Sequence, residues 1–436
     1  MDEKKEDGQE LNRPEEKEKT DTPEEKKPAE AKKQTKKPAK AQKKEPKPEK
    51  KQQKKPKEPK QGGEKKKKNP WLRRILAGIL TLLLIALAVL VFIFRDRLSN
   101  ENLPETLGQK SPLTTGTEAY TYESGSDQVF AAVGDGLAVA SGSALQLLDA
   151  DGETVWKQIV SYGAPAVFGG EKQALFCDIG GTAAVVVGLD GESRAMETSD
   201  EIITAAMNES GWFTIVTEAA GYKGLVRVYN ADCELQYEWW SGSGYVLRAA
   251  VSPDHKLLAA LCADGEGGKL HLFSLSSETE LASAEFPQEL AFDLCFLGSD
   301  TVCCISETAL HFLNTKGEEK GKYELGDSYL MDYDFGGDGF VSLFVSAYRT
   351  GTGGLLMTLD RTGTLQGYVE VSSNVTSLCA GGKQLLVMTG GDLTLYGQDM
   401  AQENRTEALM TAKRAILQPN GDILLLYAYT AERYRF

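Results

Sequence analysis

The sequence contains very little of what metal-dependent and hydrolytic enzymes need at their active sites. Only three histidines occur, and His255, His271 and His311 stand in no C-x-x-C, H-x-x-H or H-E-x-x-H spacing that would hold zinc. No G-x-S-x-G nucleophile elbow is present. The glycine-rich segment Gly351–Gly354 is not followed by the lysine of a phosphate loop, so a hairpin turn is expected there. We therefore predict no catalytic, metal-binding or cofactor-binding residues.

Cysteine is also scarce, and its seven residues do not predict a disulfide framework because their number is odd and their spacing is unpaired. Most stand in apolar strand contexts such as Leu294–Phe296. The adjacent pair Cys303-Cys304 should point to opposite faces of one strand, since successive side chains alternate. We expect these thiols to be buried as small hydrophobic groups.

Long hydrophobic runs are absent with one exception, Ile75–Phe94, which has 20 residues and no charge. A helix of that length spans about 30 Å, the thickness of a bilayer's hydrocarbon core. A cleaved signal peptide would have a shorter apolar stretch and an A-x-A-like site. We therefore predict a transmembrane helix with flanks over 71–97. Lys65–Lys68 before the run outnumber Arg95 and Arg97 after it, which predicts a cytoplasmic N terminus and an extracytoplasmic C-terminal part in the cell membrane.

Aromatic and β-branched residues are nearly missing from residues 1–70. Residues 1–68 carry 25 Lys+Arg and 16 Asp+Glu, a net charge of +9. Such a segment cannot bury enough apolar surface to offset its conformational entropy, so we predict a disordered cytoplasmic tail. Its lysines could serve as a solvated spacer that sets topology, contact anionic lipids or bind nucleic acid. The last reading is disfavoured because no aromatic residues interleave the lysines.

Basic residues are in the minority after the hydrophobic run. Residues 101–436 carry 20 Lys+Arg and 46 Asp+Glu, so their net charge of −26 exceeds the −14 of the whole chain. A linker, 98–116, leads to residues 117–436, which are enough for a large core. Apolar runs of four to six residues, broken by Gly, Asp, Asn and Ser, predict strands and tight turns. Only 403–415 could form a helical turn, and a strand and loop are the alternative there.

The apolar runs recur with a period near 40 residues. One unit comprises Val129–Ala132, Leu137–Ala140, Ala144–Leu148 and Thr154–Val160, with an Asp/Gly turn before its last strand. Four short strands per unit at this period predict a β-propeller, with eight blades and seven as the alternative. The first strands of the units are predicted to begin near Val129, Ala166, Ile203, Val246, Leu290, Tyr329, Val375 and Ala415.

The last unit lacks a fourth strand, because the chain ends after Arg433–Phe436. Ala119–Tyr122, which precedes the first unit, is expected to supply the missing strand. Pairing the two ends would close the ring and remove its open edge.

Two segments resemble the repeats of known propellers. Ala144–Trp156 is similar to repeats of quinoprotein-like propellers, which carry a strand, an Asp-rich turn, Gly and then Trp, although only Trp156 stands in that docking position. Ser252–Lys256 resembles the S-P-D-G-K hairpin of WD40-type repeats, with His255 in place of Gly. The layout of basic tail, one span and outer propeller is similar to an uncharacterised family of single-pass membrane-anchored β-propellers of Gram-positive bacteria. That resemblance implies no activity.

The quinoprotein resemblance would imply a quinone-dependent dehydrogenase with calcium ligands, a stacking Trp and a vicinal disulfide. Cys303-Cys304 is the only adjacent cysteine pair, and no Glu/Asn/Asp set accompanies it. The segment 332–339 carries three carboxylates but misses two ligand positions of an EF-hand loop, so weak calcium binding stays open. Gly326–Ser328 faintly resembles an esterase motif and is expected to be a loop. Trp239-Trp240 should place one ring in the core and the other outside, where it could contact a partner.

We therefore predict an all-β protein that is not an enzyme and carries no cofactor. Its expected function is that of a membrane-anchored, extracytoplasmic scaffold for a protein or envelope polymer. The alternative is a small-ligand-binding or enzymatic, quinoprotein-like propeller that uses the central funnel. The expected partners are the lipid bilayer, a partner of the acidic outer domain and anionic lipids at the tail.

Overall fold

A computed structural model of the chain describes residues 117–436, apart from 124, 126 and 408–410. The described residues form eight four-stranded antiparallel sheets and no helix. This arrangement confirms the predicted all-β class and the eight-bladed propeller. The predicted tail 1–70, the membrane segment 71–97 and the linker 98–116 lie outside the described residues. Within the described part, no helix is long and apolar enough to cross a membrane.

Each of the first seven blades is built from four consecutive strands, numbered here from the inside of the ring outwards. Blades 1 to 3 consist of β2 (Val129–Val133), β3 (Gly136–Ala140), β4 (Ala144–Leu148) and β5 (Thr154–Ile159); β6 (Pro165–Gly169), β7 (Gln173–Asp178), β8 (Ala183–Gly188) and β9 (Ser193–Glu197); and β10 (Ile202–Met207), β11 (Phe213–Thr217), β12 (Leu225–Tyr229) and β13 (Leu235–Trp240).

The next four blades repeat this order. Blades 4 to 7 consist of β14 (Tyr245–Val251), β15 (Leu257–Ala263), β16 (Gly267–Ser274) and β17 (Glu280–Pro287); β18 (Ala291–Phe296), β19 (Thr301–Ser306), β20 (Ala309–Asn314) and β21 (Glu319–Glu324); β22 (Tyr329–Asp334), β23 (Phe340–Ser346), β24 (Gly354–Asp360) and β25 (Leu365–Val371); and β26 (Val375–Gly381), β27 (Gln384–Thr389), β28 (Asp392–Gly397) and β29 (Gln402–Glu407).

Blade 8 is assembled from both ends of the described chain. Its strands from inside to outside are β30 (Arg414–Leu417), β31 (Ile423–Leu426), β32 (Thr430–Tyr434) and β1 (Thr117–Thr121). The antiparallel pairing of β1 with β32 confirms the predicted closure by the segment before the first unit. The eight inner strands begin within one residue of their predicted positions.

The second and third strands of the blades are buried on both faces. All seven residues of β23 and all five of β3 and β4 are buried, whereas β29 at the outer edge is almost wholly exposed. The middle strands therefore read as continuous apolar runs, because neighbouring blades cover both of their faces. Each fully buried Leu, Val or Phe contributes roughly 1.5–3 kcal/mol by leaving water. The hydrophobic core consequently lies between the blades rather than at the ring's centre.

The segment 403–415, for which a helical turn was the first alternative, contains most of β29 and the start of β30. The strand-and-loop interpretation of this segment is thus confirmed for its described residues. Gly351–Gly354 joins β23 to β24, as expected for a hairpin turn, and Gly351 and Gly353 both have positive φ.

Candidate interaction surface

The propeller has two faces that differ in their loops. Because the strands of each blade alternate in direction, the hairpins between first and second and between third and fourth strands emerge on one side. We call this the hairpin face. The loops between second and third strands and the links between blades emerge on the other side, which we call the link face. Hairpins of neighbouring blades bond to each other, as from the Gly134 amide to the Gly170 carbonyl and from the Glu171 amide to the Glu209 carbonyl.

Exposed aromatic side chains are concentrated on the link face. Eight large aromatic side chains of the described residues are exposed, and six of them lie in link-face loops or at strand ends that meet them. These six, the link-face aromatics, are Tyr222, Trp240, Tyr245, Tyr329, Tyr348 and Tyr429. The other two are Tyr368 on the outer strand of blade 6 and Phe436 beyond β32. A one-sided concentration of exposed aromatic residues is typical of an interaction surface.

Blades 3 and 4 hold the first group of these aromatics. The rings of Tyr222 and Trp240 lie with their centroids 5.1 Å apart. The Lys223 ammonium lies 4.5 Å from the centroid of the Tyr245 ring and donates a hydrogen bond of 3.1 Å to its hydroxyl. The contact joins a loop of blade 3 to the first strand of blade 4, so it fixes the two aromatic groups relative to each other.

Blade 6 repeats this combination of tyrosine and cation. The loop between β23 and β24 carries Tyr348-Arg349, as the loop between β11 and β12 carries Tyr222-Lys223. The Arg349 guanidinium lies over the Tyr329 ring, 5.2 Å from its centroid. A pocket of about 720 Å³ opens beside this pair, and its lining includes Phe292, Glu307, Asp327, Met331 and Tyr333.

The first strands of blades 3, 4, 5 and 6 are joined by a chain of polar contacts. Arg248 Nη1 donates to Thr204 Oγ1 at 2.9 Å, and its Nε lies 2.9 Å from Asp293 Oδ1. The Tyr333 hydroxyl donates to Asp293 Oδ2 at 2.8 Å, and its burial, together with the adjacent carboxylate, raises its pKa. We call these four residues the axial network. Thr204, Arg248 and Asp293 each directly follow the bulge in the first strand of blades 3, 4 and 5.

A second polar cluster braces the link between blades 4 and 5. Glu289 accepts hydrogen bonds from Ser306 Oγ at 3.0 Å, from His311 Nε2 at 2.8 Å and from Lys322 Nζ at 2.9 Å. Although its partial burial alone would raise the pKa, the bonds from Lys322, His311 and Ser306 hold the pKa of Glu289 at about 2. The link is thereby fixed to the second, third and fourth strands of blade 5.

Replacing Glu289 by Gln is expected to lower the free energy of unfolding at neutral pH by about 1–2 kcal/mol. Bonds to a charged group contribute roughly 1.5–3 kcal/mol, and this carboxylate keeps some solvent contact. Because the folded pKa lies below the unfolded value of 4.5, the contribution is complete above that value and disappears as the pH falls towards 2. Urea unfolding at pH 7 and at pH 3 checks this, with Glu201→Gln, an exposed link-face carboxylate, as the control. A difference between wild type and variant that is the same at both pH values would contradict it.

The structure places the aromatic and cysteine residues predicted from sequence as follows. Trp239 is partly buried and packs against the core, its ring centroid 4.8 Å from that of Phe273, while Trp240 is 44% exposed. Cys303 and Cys304 are both fully buried, and they belong to hydrophobic clusters on opposite faces of β19. Burial raises the pKa of both thiols, which keeps them protonated. The predicted alternation is confirmed in both pairs, and all seven cysteines are free.

The weaker motifs form no common site. Gly326–Ser328 lies in the link between blades 5 and 6, as expected for a loop, and contributes to the pocket of blade 6. Within 332–339, Asp332 and Asp334 lie on β22, and desolvation raises the pKa of the partly buried Asp334 to about 6. The described residues contain no group of three or more His, Cys, Asp or Glu that could hold a metal ion.

The histidines also form no common site, since His255 and His271 lie in different strands and hairpins of blade 4 and His311 lies in blade 5. His271 contacts Glu280 at 2.9 Å, and His311 contacts Glu289. His255 occupies the hairpin of Ser252–Lys256, where its ring stacks on Trp212 with centroids 4.6 Å apart. Its φ of 60° shows why WD40-type hairpins place Gly at this position.

Sequence reasoning missed most of the link-face aromatics and the whole axial network. A signal for the aromatics was present in loop length, because the two longest loops between second and third strands, 218–224 and 347–353, each contain a tyrosine followed by a cation. Arg248 and Asp293 carried no such signal, since their pairing depends on which blades are neighbours.

Comparison with known proteins agrees with this geometry. Residues 113–417 match the family of unknown function DUF5711. The chain belongs to this family. The expected membership of an uncharacterised family is therefore confirmed, and no curated protein matches the sequence significantly.

Solved structures resemble this member of the DUF5711 family in fold. The C-terminal WD40 domain of Sif2 has a TM-score of 0.52 at 10% identity, over 73% of this chain and 97% of that one. Sqt1 from Saccharomyces cerevisiae has a TM-score of 0.50 at 10% identity, over 75% and 98%. BamB from Moraxella catarrhalis has a TM-score of 0.47 at 11% identity, over 74% and 100%. At such identities the likeness to the WD40 propellers establishes the fold alone.

Proposed function

We propose that this DUF5711 protein is a membrane-anchored, extracytoplasmic scaffold whose link face binds a protein partner. The observation that carries the proposal is the one-sided distribution of exposed aromatic side chains, six of eight on the link face. Tyr and Trp supply large contact areas at low entropic cost, and they dominate the energetics of many interfaces. Propellers of the WD40 type offer a rigid disc on which such groups keep fixed positions.

The net charge of the propeller indicates what kind of partner surface it would bind. Residues 117–436 carry 19 Lys+Arg and 44 Asp+Glu, a net charge of −25. A field of this size repels other acidic surfaces and accelerates the approach of cationic ones. We therefore expect a partner with a basic contact surface.

The start of the described chain lies away from the link face. β1 is the outer strand of blade 8, and it begins at the hairpin face because it runs antiparallel to β32. The described chain therefore enters the propeller on the side opposite the link-face aromatics.

Site-specific photocrosslinking in native membranes tests the proposed function. A benzophenone amino acid placed at Tyr348, which is 67% exposed, should crosslink a discrete partner protein. Adding Trp240→Ala to this crosslinking variant should reduce the recovery of the partner about tenfold. The matched control is the same amino acid at Tyr368, which is 59% exposed but lies on the outer strand of blade 6. Equal recovery from both positions, or none from Tyr348, would count against the link face as the contact surface. Protease treatment of intact cells should remove the propeller. Selective loss of the tail would instead contradict a cytoplasmic N terminus and an extracytoplasmic propeller.

A further inference from the structure

The pocket between blades 5 and 6 combines an apolar floor with a charged rim. Phe292, Met331 and Tyr333 come from the first strands of the two blades, and Tyr333 is held in place by its bond to Asp293. Glu307 and Asp327 contribute carboxylates from two neighbouring link-face loops. The volume of about 720 Å³ exceeds what one long side chain fills, so the pocket can admit a side chain together with part of its backbone.

The two carboxylates of the rim are available to a ligand. Glu307 and Asp327 are exposed, and they lie in a part of the chain with a net charge of −25. The pocket contains one cation, Arg349, so its own charge is also negative. Rim and surroundings therefore both favour a cationic group.

The link face already contains two examples of how its tyrosines hold cations. Arg349 lies over the ring of Tyr329, and Lys223 lies over the ring of Tyr245. Both distances, 5.2 and 4.5 Å, fall within the range of attractive cation–π contacts. An arginine also bonds carboxylates through its planar fork, which suits a pocket with aromatic walls and acidic edges.

We propose that this pocket binds an arginine or lysine side chain of a basic peptide segment. The proposal rests on the scaffold function, because the segment belongs to the protein partner. The cation lies against the Tyr329 and Tyr333 side of the pocket and bonds to Glu307 and Asp327, while the apolar floor accepts the methylene groups of its stem. Arg349 occupies the same kind of position from within the chain and competes with the ligand.

Fluorescence anisotropy of a labelled (Arg-Gly)4 peptide on the full-length protein in detergent at 150 mM salt tests the pocket. Glu307→Gln with Asp327→Asn should weaken binding at least about tenfold, since two charge-assisted bonds are lost. Glu201→Gln with Glu218→Gln changes the net charge equally on exposed link-face residues of blade 3, and it should weaken binding less than about threefold. Both double variants should keep the wild-type unfolding temperature.

Arg349→Ala gives a test in the opposite direction. Removing the internal competitor should strengthen peptide binding about threefold, because the Tyr329 ring becomes free and one repulsive charge is lost. Lys316→Ala removes an exposed cation from the hairpin face, and it should change binding less than about twofold. A gain of affinity is not expected from a variant that merely disturbs the fold.

Three results would overturn the proposed pocket. The first is equal weakening by the two acidic double variants, which would show attraction by the overall field. The second is weaker binding of the peptide to Arg349→Ala. The third is binding of a tetramer of N-acetylglucosamine that is lost in the Glu307→Gln, Asp327→Asn variant, which would assign the pocket to a glycan. Failure of the photocrosslinking with unaltered peptide results would contradict the scaffold function and leave peptide binding established.

Discussion

Replacing Tyr120 by Ala is expected to lower the free energy of unfolding by about 3–5 kcal/mol, the largest effect of any single substitution considered. Tyr120 is 1% exposed and packs where the outer strand of blade 8 meets blade 1. Its hydroxyl donates to the Asp135 carbonyl at 3.0 Å, across the closure of the ring. Alanine removes the ring's packing and that bond together, and β1 is held by one neighbouring strand only.

Equilibrium urea unfolding of Tyr120→Ala measures this effect. Tyr120→Phe keeps the packing and loses the bond, so it should cost about 1 kcal/mol. Tyr368→Ala, at an exposed tyrosine of an outer strand that does not close the ring, should cost less than about 0.5 kcal/mol. Equal losses for Tyr120→Ala and Tyr368→Ala would show that ring closure contributes little to stability.

The architecture was largely predictable because it depends on local patterns that repeat. Each blade needs apolar middle strands and a turn such as Asp149–Gly152. Both features appear in the sequence as patterns that recur along the chain. The closure, predicted at Ala119–Tyr122 and observed at Thr117–Thr121, followed from counting, because the last unit has three strands and a ring has no edge. Five of the eight inner strands begin one residue away from the predicted position, in blades with and without a bulge in the first strand.

The candidate surface was less predictable because it depends on which loops share a face. Trp239-Trp240 could be divided into core and exposed residues by strand alternation, and the structure confirms this. Nothing in the sequence relates Trp240 to Tyr329 or Tyr348, which are about 90 to 110 residues away and belong to the same face only in the closed ring. Contacts between blades are set by the fold, so single-blade patterns cannot reveal them.

The axial network and the link-face aromatics occupy the same part of the ring. The network joins blades 3, 4, 5 and 6, and five of the six link-face aromatics belong to blades 3, 4 and 6. A bonded chain through the first strands fixes the relative positions of these blades. The surface offered to a partner is therefore preorganised, which reduces the entropy lost on binding.

Asp293→Asn is accordingly expected to lower the free energy of unfolding by about 2–4 kcal/mol. The Arg248 and Asp293 side chains are 28% and 14% exposed, so neither charge is well solvated once its partner is gone. Breaking a fully buried pair from one side costs about 3–5 kcal/mol, and the remaining solvent contact reduces that figure here. Arg248→Met should cost a similar amount, because Asp293 then loses its cation and keeps only neutral donors, the Tyr333 hydroxyl and the Leu294 amide.

The double variant Arg248→Met, Asp293→Asn decides whether the two residues act as a pair. It should be more stable than the sum of the single losses predicts, by a coupling energy of about 1.5–3 kcal/mol. Lys269 and Glu285, whose side chains are 36% and 69% exposed, form a surface pair at 3.2 Å on the third and fourth strands of blade 4, and their coupling should stay below about 1 kcal/mol. Similar coupling in both pairs would mean that the axial network behaves like an ordinary surface contact. A larger axial coupling would mean that this one ion pair fixes the relative positions of blades 3 to 6. The same double variant should then also bind the proposed partner of the link face more weakly.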